Sequence, residues 1–397
     1  MIIVLIFAVF SSLAVAEDSQ TLLLTGAKVY PSPTDKPIEG ANVLIVQGKI
    51  ARVDSSFIVP KGARVIDCKG KVIVAGFWNS HVHFTEGVWQ DAGGQSVEKL
   101  EFHMQEMLTK WGVTTVWDLG SDPPNTITLR KRIEAGEVRG PKIFMAGDIF
   151  PLGGHPVYLP AEIELPEAGN AAEASLMARG YLSMGLDGIK LFTGSFMGDK
   201  PPVNMPTPVV KAAVDVAHAQ GKPVFAHPQN YAGVDNALAG GVDVLAHTIP
   251  TAGHYTDEEL AAMKRQHTAL TPTLTLWTTV VPDVSVQNQL VDAGVGELKQ
   301  FFSQGGTVLF GTDVGFIDKY DTMEEYEFMG RAMPWQDVLA SLTTNPSAYF
   351  KAPSKGKVEK GMDADLVVLD ADPAADVKNL AKVAYTIRGG KIIYQEK

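Results

Sequence analysis

The feature that most restricts the fold is a regular alternation of short apolar segments with helical segments in the middle of the chain. Eight apolar segments are predicted to be strands: 72–75, 114–117, 143–146, 189–192, 224–226, 244–246, 270–274 and 308–310. Helical patterns fall between them at 96–110, 171–184, 208–220, 257–267 and 286–304. Eight βα units over about 270 residues predict an α/β fold, the (β/α)8 TIM barrel. A doubly wound open sheet is the alternative, but the first strand lacks the glycine-rich phosphate loop of that fold.

The two ends of the chain differ from this middle part because they contain short β-rich segments separated by glycine and proline. The N-terminal part covers 21–74, and a similar C-terminal part begins at Asp363. Either end alone would have little core, so we expect one small β-sandwich built from both rather than two separate β units. The expected domains are therefore a sandwich formed by 17–75 and 353–397, with the barrel over 76–352 between them.

The first 16 residues are predicted to be an export signal, 1–16. Ten apolar residues lead to Leu13–Ala16, an Ala-x-Ala ending typical of a cleavage site, although no Lys or Arg precedes the apolar core. A membrane anchor is the alternative, but about 16 apolar residues fall short of the roughly 20 that span a bilayer. We therefore expect a secreted or periplasmic protein that begins at Glu17 and has no stable membrane anchor.

Charge and cysteine content exclude two classes of function. The formal net charge is −11, from 34 Lys and Arg against 45 Asp and Glu. A nucleic-acid partner is not expected, because such binding depends on cationic side chains. Cys68 is the single cysteine, which excludes an intrachain disulfide and a thiolate metal cluster. A metal site in this chain must therefore use histidine and oxygen ligands.

Polar residues close several of the predicted strands, at the end of the barrel where TIM-barrel enzymes place their catalytic groups. They are His81 and His83 after the first strand, Lys190 in the fourth, His227 after the fifth, His247 after the sixth and Asp313 after the eighth. Each type also occurs singly for structural reasons, such as an aspartate that caps a helix. Their presence together, on separate strands and in barrel order, predicts a metal site.

Lys190 requires its own explanation because an ammonium group repels a metal ion. Burial within an apolar strand lowers the pKa of a lysine and favours the neutral amine. A neutral amine adds carbon dioxide to form a carbamate, whose two oxygens can bridge two ions. The alternative is a buried lysine that pairs with a nearby acid such as Asp187.

These residues, in this order and at this spacing, resemble the metal site of the amidohydrolase superfamily, and the similarity covers essentially the whole mature chain. The segment 356–370 resembles the return of that family into its β-sandwich. Within the superfamily the sequence is most similar to the imidazolonepropionase-related branch, which includes Xaa-Pro dipeptidases. The residues Gly153-Gly154-His155 resemble a loop of that branch.

The resemblance implies two divalent metal ions, and zinc suits the implied ligands best. Those ligands are His81, His83, Lys190, His227, His247 and Asp313. The first two histidines and the aspartate would hold the more buried ion, and the other two histidines would hold the second. Carboxylated Lys190 and a hydroxide would bridge the ions. Asp313 would be the catalytic residue that takes a proton from the attacking water and passes it to the leaving nitrogen. The branch also contains one-metal members, so the number of ions stays open.

The substrate is expected to be a small molecule held by loops around the barrel mouth, with His155, Tyr231 and His254 as candidate contacts. We expect hydrolysis of an amide-like C–N bond in a dipeptide, an N-acyl amino acid or a cyclic amide. Gln229 stands where some peptidase relatives have Tyr or His, which argues against dipeptides. A lactone, ester or phosphoester hydrolase with the same metal site is the alternative, and a non-catalytic metal-binding barrel is a third hypothesis. The oligomeric state is not evident from the sequence.

Overall fold

The computed structural model describes residues 21–56, 59–250 and 253–396, so the predicted export signal lies outside the described residues. The strands, in chain order, are β1 Leu22–Val29, β2 Ile38–Val46, β3 Lys49–Asp54, β4 Arg64–Asp67, β5 Val72–Ala75, β6 Phe77–Val82, β7 Val113–Asp118, β8 Lys142–Pro151, β9 Glu167–Ala168, β10 Gly188–Phe192, β11 Gly194–Ser195, β12 Val203–Asn204, β13 Val224–His227, β14 Val244–Ala246, β15 Ala269–Thr271, β16 Leu366–Leu369, β17 Val383–Arg388 and β18 Lys391–Gln395.

The α-helices are α1 Val97–Met107, α2 Pro123–Glu134, α3 Ala171–Ser183, α4 Thr207–His218, α5 Tyr231–Gly240, α6 Asp257–Gln266, α7 Thr275–Val280, α8 Val284–Ser303, α9 Met323–Ala332, α10 Trp335–Leu342 and α11 Thr344–Tyr349. Short 3-10 helices cover Gly87–Trp89, Thr109–Trp111 and Val377–Ala381. The five helices predicted from periodicity correspond to α1, α3, α4, α6 and α8. Within the described residues, no helix is both long enough and apolar enough to cross a membrane.

A nearly closed parallel barrel forms the middle of the molecule, as predicted. Its hydrogen-bonded strand order is β6-β7-β8-β10-β13-β14-β15, and all of these neighbours are parallel. Residues 307–314 take the eighth place without forming a regular strand. They close the ring through single parallel bridges, Leu270 to Val308 on one side and Val82 to Val314 on the other. The open-sheet alternative is therefore wrong.

The first barrel strand was predicted at the wrong place. The segment Val72–Ala75 pairs with β16 and β1 in the sheet formed by the chain ends, and the barrel begins with β6 instead. Gly76 separates the two strands, and a Cβ there would lie 2.4 Å from Oγ1 of Thr114. The error has a physical cause: all four residues of β5 are buried, so the segment has the same apolar pattern as an interior barrel strand.

The two chain ends form one mixed sheet, in the order β18-β17-β16-β5-β1-β2-β3, with β4 also paired to β1. The antiparallel pairing of β16 with β5 joins the C-terminal part to the N-terminal part, which excludes two separate β units. One face of the sheet has its own core, which includes Leu24, Ile45 and Leu366. Its other face contributes Val74 and Val367 to the core shared with the barrel helices. This second sheet therefore holds β5, the strand from which the chain passes into β6.

Candidate metal centre

The first barrel strand presents His81 and His83 to the same side, and both rings meet the carboxylate of Asp313. The Nε2 atoms of the two histidines lie 3.2 Å apart. Each lies close to Oδ1 of Asp313, at 3.1 Å for His81 and 3.0 Å for His83. Three ligand atoms thus converge on one point at the carboxyl end of the barrel, as the alternation of side chains along an extended segment predicts.

The backbone around Asp313 is built for this approach. Asp313 has a φ of 61°, and its carbonyl accepts hydrogen bonds from the N–H groups of Phe316 and Ile317, which closes a tight turn. Gly315 within that turn has a φ of 95°, and a Cβ there would lie 1.8 Å from the carbonyl oxygen of His83. Only glycine allows the turn to pack against the first strand, so the position of the aspartate depends on a missing side chain.

His247 and His227 extend the cluster. The Nε2 of His247 lies 3.8 Å from Oδ2 of Asp313, and its ring centroid is 4.6 Å from that of His81. One ligand atom each from His81, His247 and Asp313 lies within 4.8 Å of the other two. The His227 ring follows at 4.8 Å from the His247 ring. The structure therefore brings the four histidines and the aspartate together.

Hydrogen bonds on the far side of two rings determine which nitrogen faces the cluster. The Nδ1 of His83 lies 2.7 Å from the carbonyl oxygen of Gly120, and a carbonyl can only accept, so the ring donates from Nδ1. The Nδ1 of His247 lies 2.6 Å from Oγ1 of Thr273. The bond from His83 leaves its Nε2 lone pair directed at the cluster, the arrangement that outer-sphere partners give to metal-binding histidines.

Burial keeps most of these rings neutral, which is the form that binds a metal. Removal from water lowers the pKa of His81 and of His227 to about 3 and lowers that of His247 well below its ordinary value. For His83 burial also lowers the pKa, but the Asp313 carboxylate more than compensates and the pKa is raised overall. The Asp313 carboxylate therefore favours a positive charge at the position of His83.

The donor set fits a divalent ion. Neutral imidazole nitrogens and a carboxylate oxygen are the ligands that zinc and similar ions prefer when no thiolate is present. In the described part of the chain, Oδ1 of Asp313 is buried without a hydrogen-bond partner, although two ring nitrogens surround it. A cation at this point would satisfy that oxygen and both rings.

Lys190 is the fourth-strand residue, and it is almost completely buried at 1% exposure. Burial lowers its pKa to about 8, against the opposing effect of Asp313 and Asp148. The predicted alternative, a pair with Asp187, is not present: the Asp187 carboxylate binds Arg130 at 2.8 Å and lies 3.6 Å from the Nζ of Lys222. Lys190 therefore lies in the barrel interior, and its lowered pKa makes the neutral amine more accessible than in an exposed lysine.

Two buried acids, one in the second and one in the third barrel strand, were missed by the sequence interpretation. Asp118 is buried, and burial raises its pKa to about 6; its Oδ1 accepts from the hydroxyl of Ser121 at 2.7 Å. Asp148 is the strand-register partner of Lys190, and burial raises its pKa. Asp118 is the last residue of β7, so the strand-end rule applied to every strand would have found it, whereas Asp148 lies within β8.

The three predicted substrate contacts lie on loops or helix ends, and their roles stay predictions. The ring nitrogens of His155 lie 3.1 Å from the carbonyl oxygens of Pro156 and Ile163, both in its own loop. The Tyr231 hydroxyl donates to Glu297 at 3.2 Å. His254 is exposed. The first two side chains are thus engaged with protein groups.

The sequence model of the amidohydrolase family matches residues 72–393 of the chain. The protein belongs to the amidohydrolase family. The match spans the barrel and the C-terminal part of the second sheet. It confirms the predicted superfamily and the predicted enzyme class, a hydrolase of carbon–nitrogen bonds.

Individual relatives are distant but cover nearly the whole chain. The imidazolonepropionase of Thermoplasma acidophilum is 23% identical over 404 residues, covering 90% of this chain and 90% of the relative. The ochratoxinase of Aspergillus niger is 22% identical, covering 96% and 88%. Among solved structures, a putative prolidase from Bifidobacterium longum has a TM-score of 0.80 at 24% identity and covers 95% of each chain. These relatives agree with the predicted branch of this amidohydrolase, and the structural similarity supports the fold.

Proposed function

We propose that this amidohydrolase hydrolyses an amide-like C–N bond with the help of two divalent metal ions, zinc being the best suited. The observation that carries the proposal is the convergence of His81, His83 and Asp313 within 3.2 Å, extended by His247 and His227. When bound, the ions supply Lewis acidity for a water molecule and for the substrate carbonyl. Lys190, as a carbamate, would provide the bridging oxygens.

The residues of the chain hold the reacting groups and move the proton. Asp313 would accept a proton from the attacking water at a carboxylate oxygen and deliver it to the leaving nitrogen. Burial keeps His81, His227 and His247 neutral by lowering their pKa values. These histidines would therefore act as ligands and would not compete for that proton. The hydrogen bonds from His83 to Gly120 and from His247 to Thr273 would keep both rings oriented during turnover.

Exposed apolar side chains at the barrel mouth favour a substrate with an aromatic or large apolar group. Phe316 follows Asp313 by three residues, and Tyr158 packs against it edge to face at 5.3 Å between ring centroids. Both side chains are 41% exposed, and Phe196, on a neighbouring loop, is 39% exposed. Since large apolar side chains near a catalytic centre favour apolar ligands, we propose an amide with a bulky apolar acyl or aryl group.

A matched substrate panel tests this function. N-benzoylglycine and N-acetylglycine differ in the apolar group, and we expect the benzoyl amide to have the higher kcat/KM by roughly 10- to 100-fold, the value of burying one such group. Gly-Pro, a γ-lactone and 4-nitrophenyl phosphate cover the other reaction classes. Turnover of the lactone or the phosphate without turnover of any amide would refute C–N hydrolysis, and no turnover of any substrate by metal-loaded protein would favour a non-catalytic barrel.

We also propose that the protein is exported, on the strength of the apolar segment and Ala-x-Ala ending at 1–16. Expression of the full chain in a Gram-negative host, followed by cell fractionation and N-terminal sequencing, tests this. A periplasmic product that begins at Glu17 is expected. A cytoplasmic product that retains residue 1 would contradict the proposal.

A further inference from the structure

The turn after barrel strand β15 reaches across to a metal ligand on the neighbouring strand. The Oγ1 of Thr273 lies 2.6 Å from Nδ1 of His247, and both residues are buried. Both also have a positive φ, 45° for Thr273 and 107° for His247. The left-handed region is unfavourable for a β-branched residue, so surrounding contacts must maintain the Thr273 conformation.

The hydroxyl of Thr273 is oriented to accept a hydrogen bond from His247. It donates to the carbonyl oxygen of Pro272 at 2.9 Å, which leaves its lone pairs for the imidazole. Nδ1 of His247 is then the protonated nitrogen, and Nε2 carries the lone pair that faces Asp313 at 3.8 Å. Thr273 thus selects the ring tautomer that a metal requires.

Glu325, on helix α9, holds the same turn from outside the barrel. Its Oε1 accepts from the backbone N–H of Leu274 at 2.9 Å. Its Oε2 accepts from the N–H and the hydroxyl of Thr275, each at 2.7 Å. The side chain has 0% exposure, so no water competes for these bonds. The carboxylate therefore fixes the two residues that directly follow Thr273.

We propose that Thr273 and Glu325 are positioning residues for the metal ligand His247, with Glu325 acting through the turn and Thr273 through the direct hydrogen bond. The proposal rests on the proposed function, because it assigns the pair a role in the metal site. A purely structural role for Glu325, as the cap of helix α7, would affect stability and leave the metal affinity unchanged. The two roles therefore differ in a measurable quantity other than activity.

The central experiment is a zinc-affinity series in zinc-buffered solution containing bicarbonate, with bound metal measured by mass spectrometry. Thr273→Val keeps the shape and removes the hydrogen-bond acceptor, and we expect a zinc Kd about 10- to 100-fold higher, as for other outer-sphere partners of metal-binding histidines. Thr273→Ser restores the hydroxyl and should restore the affinity. Equal zinc affinity for wild type and Thr273→Val would overturn the proposal.

Glu325→Gln tests the outer part of the arrangement, and Glu324→Gln is its matched control on the same helix turn. Glu324 binds the Thr278 hydroxyl at 2.8 Å and pairs with Lys319, and neither partner belongs to the 273–275 turn. We expect Glu325→Gln to weaken zinc binding and Glu324→Gln to leave it unchanged. In a Thr273→Val background, Glu325→Gln should have little further effect. A full additional loss there would refute the action of Glu325 through Thr273.

A metal-free measurement separates this proposal from the proposed function. Nitrogen-15 NMR of histidine-labelled protein reports which ring nitrogen carries the proton. We expect Nδ1–H for His247 in wild type and in Thr273→Ser, and loss of that fixed tautomer in Thr273→Val. If wild type binds no zinc but keeps the Nδ1–H tautomer, the metal function fails while the positioning geometry holds. An Nε2–H tautomer in metal-free wild type would overturn the positioning role itself.

Discussion

Replacement of Glu297 by glutamine should stabilise the protein relative to wild type, and this difference should grow as the pH rises. Glu297 lies on helix α8 with 0% exposure, and its Oε2 accepts from the backbone N–H of Ile249, two residues after the proposed ligand His247. Burial raises the pKa of Glu297 from 4.5 to about 8. Between these values the folded protein retains a proton that the unfolded chain has released, so wild-type stability falls as the pH rises. Glutamine resembles the protonated form and has no such cost.

The size of the effect follows from the two pKa values. One pKa unit corresponds to about 1.4 kcal/mol of unfolding free energy. Between a pH below 4.5 and a pH above 8, the unfolding free energy of wild type should therefore fall by roughly 5 kcal/mol relative to that of Glu297→Gln. Below about pH 4.5 the two proteins should be nearly equal, and the difference should grow by about 1.4 kcal/mol per pH unit up to about pH 8.

Guanidinium unfolding of metal-free wild type and variant, measured at about one-unit pH steps, gives this difference directly, and contributions of other groups cancel in the subtraction. Far-UV circular dichroism controls for the fold of the variant. A difference that stays constant over the whole pH range would refute the reasoning, because Glu297 would then titrate in the folded protein as it does in the unfolded chain.

Three further substitutions test separate parts of the site. Asp313→Asn removes the proton acceptor and should lower kcat by about 100-fold or more in a steady-state assay; an unchanged kcat would exclude Asp313 from the chemistry. Lys190→Ala should reduce bound zinc and activity, and added short carboxylic acids should partly restore activity by occupying the space of a carbamate; equal metal content and activity in wild type and variant would refute the bridging role. Gly315→Ala places a Cβ 1.8 Å from the His83 carbonyl oxygen at a φ of 95°, and should lower the free energy of unfolding by about 2–4 kcal/mol in denaturant titration, whereas an unchanged value would show that the turn tolerates a side chain.

The sequence was sufficient to predict the barrel and the cluster of histidines and aspartate at its carboxyl end, because both depend on local patterns. Each predicted ligand follows a short apolar strand, and parallel strands in a barrel bring their carboxyl ends together, so His81 and Asp313 meet although they are far apart in the chain. The same local logic misplaced the first strand, since Val72–Ala75 is buried in the terminal sheet and has the pattern of a barrel strand. It also predicted a regular eighth strand where the structure has only single bridges.

The residues that support the site, Thr273, Glu297 and Glu325, could not be predicted from the sequence, and the reason is different. Glu325 lies 51 residues from Leu274, and Glu297 lies 48 residues from Ile249. Their contacts depend on how outer helices pack against strand ends, which hydrophobic periodicity does not specify. Thr273 adopts a conformation that its residue type disfavours, so propensity points away from it. His247, which contacts Thr273, also has a positive φ, and the proposed function requires its ring to be fixed.

The most direct test of the metal centre is a crystal structure of zinc-loaded protein with anomalous diffraction data collected on both sides of the zinc absorption edge. We expect one anomalous peak among Nε2 of His81, Nε2 of His83 and Oδ1 of Asp313, and a second beside His227 and His247. A single peak shared by all five residues would correct the number of ions to one. The absence of any zinc peak at this cluster in active, zinc-loaded protein would exclude these residues as the metal site.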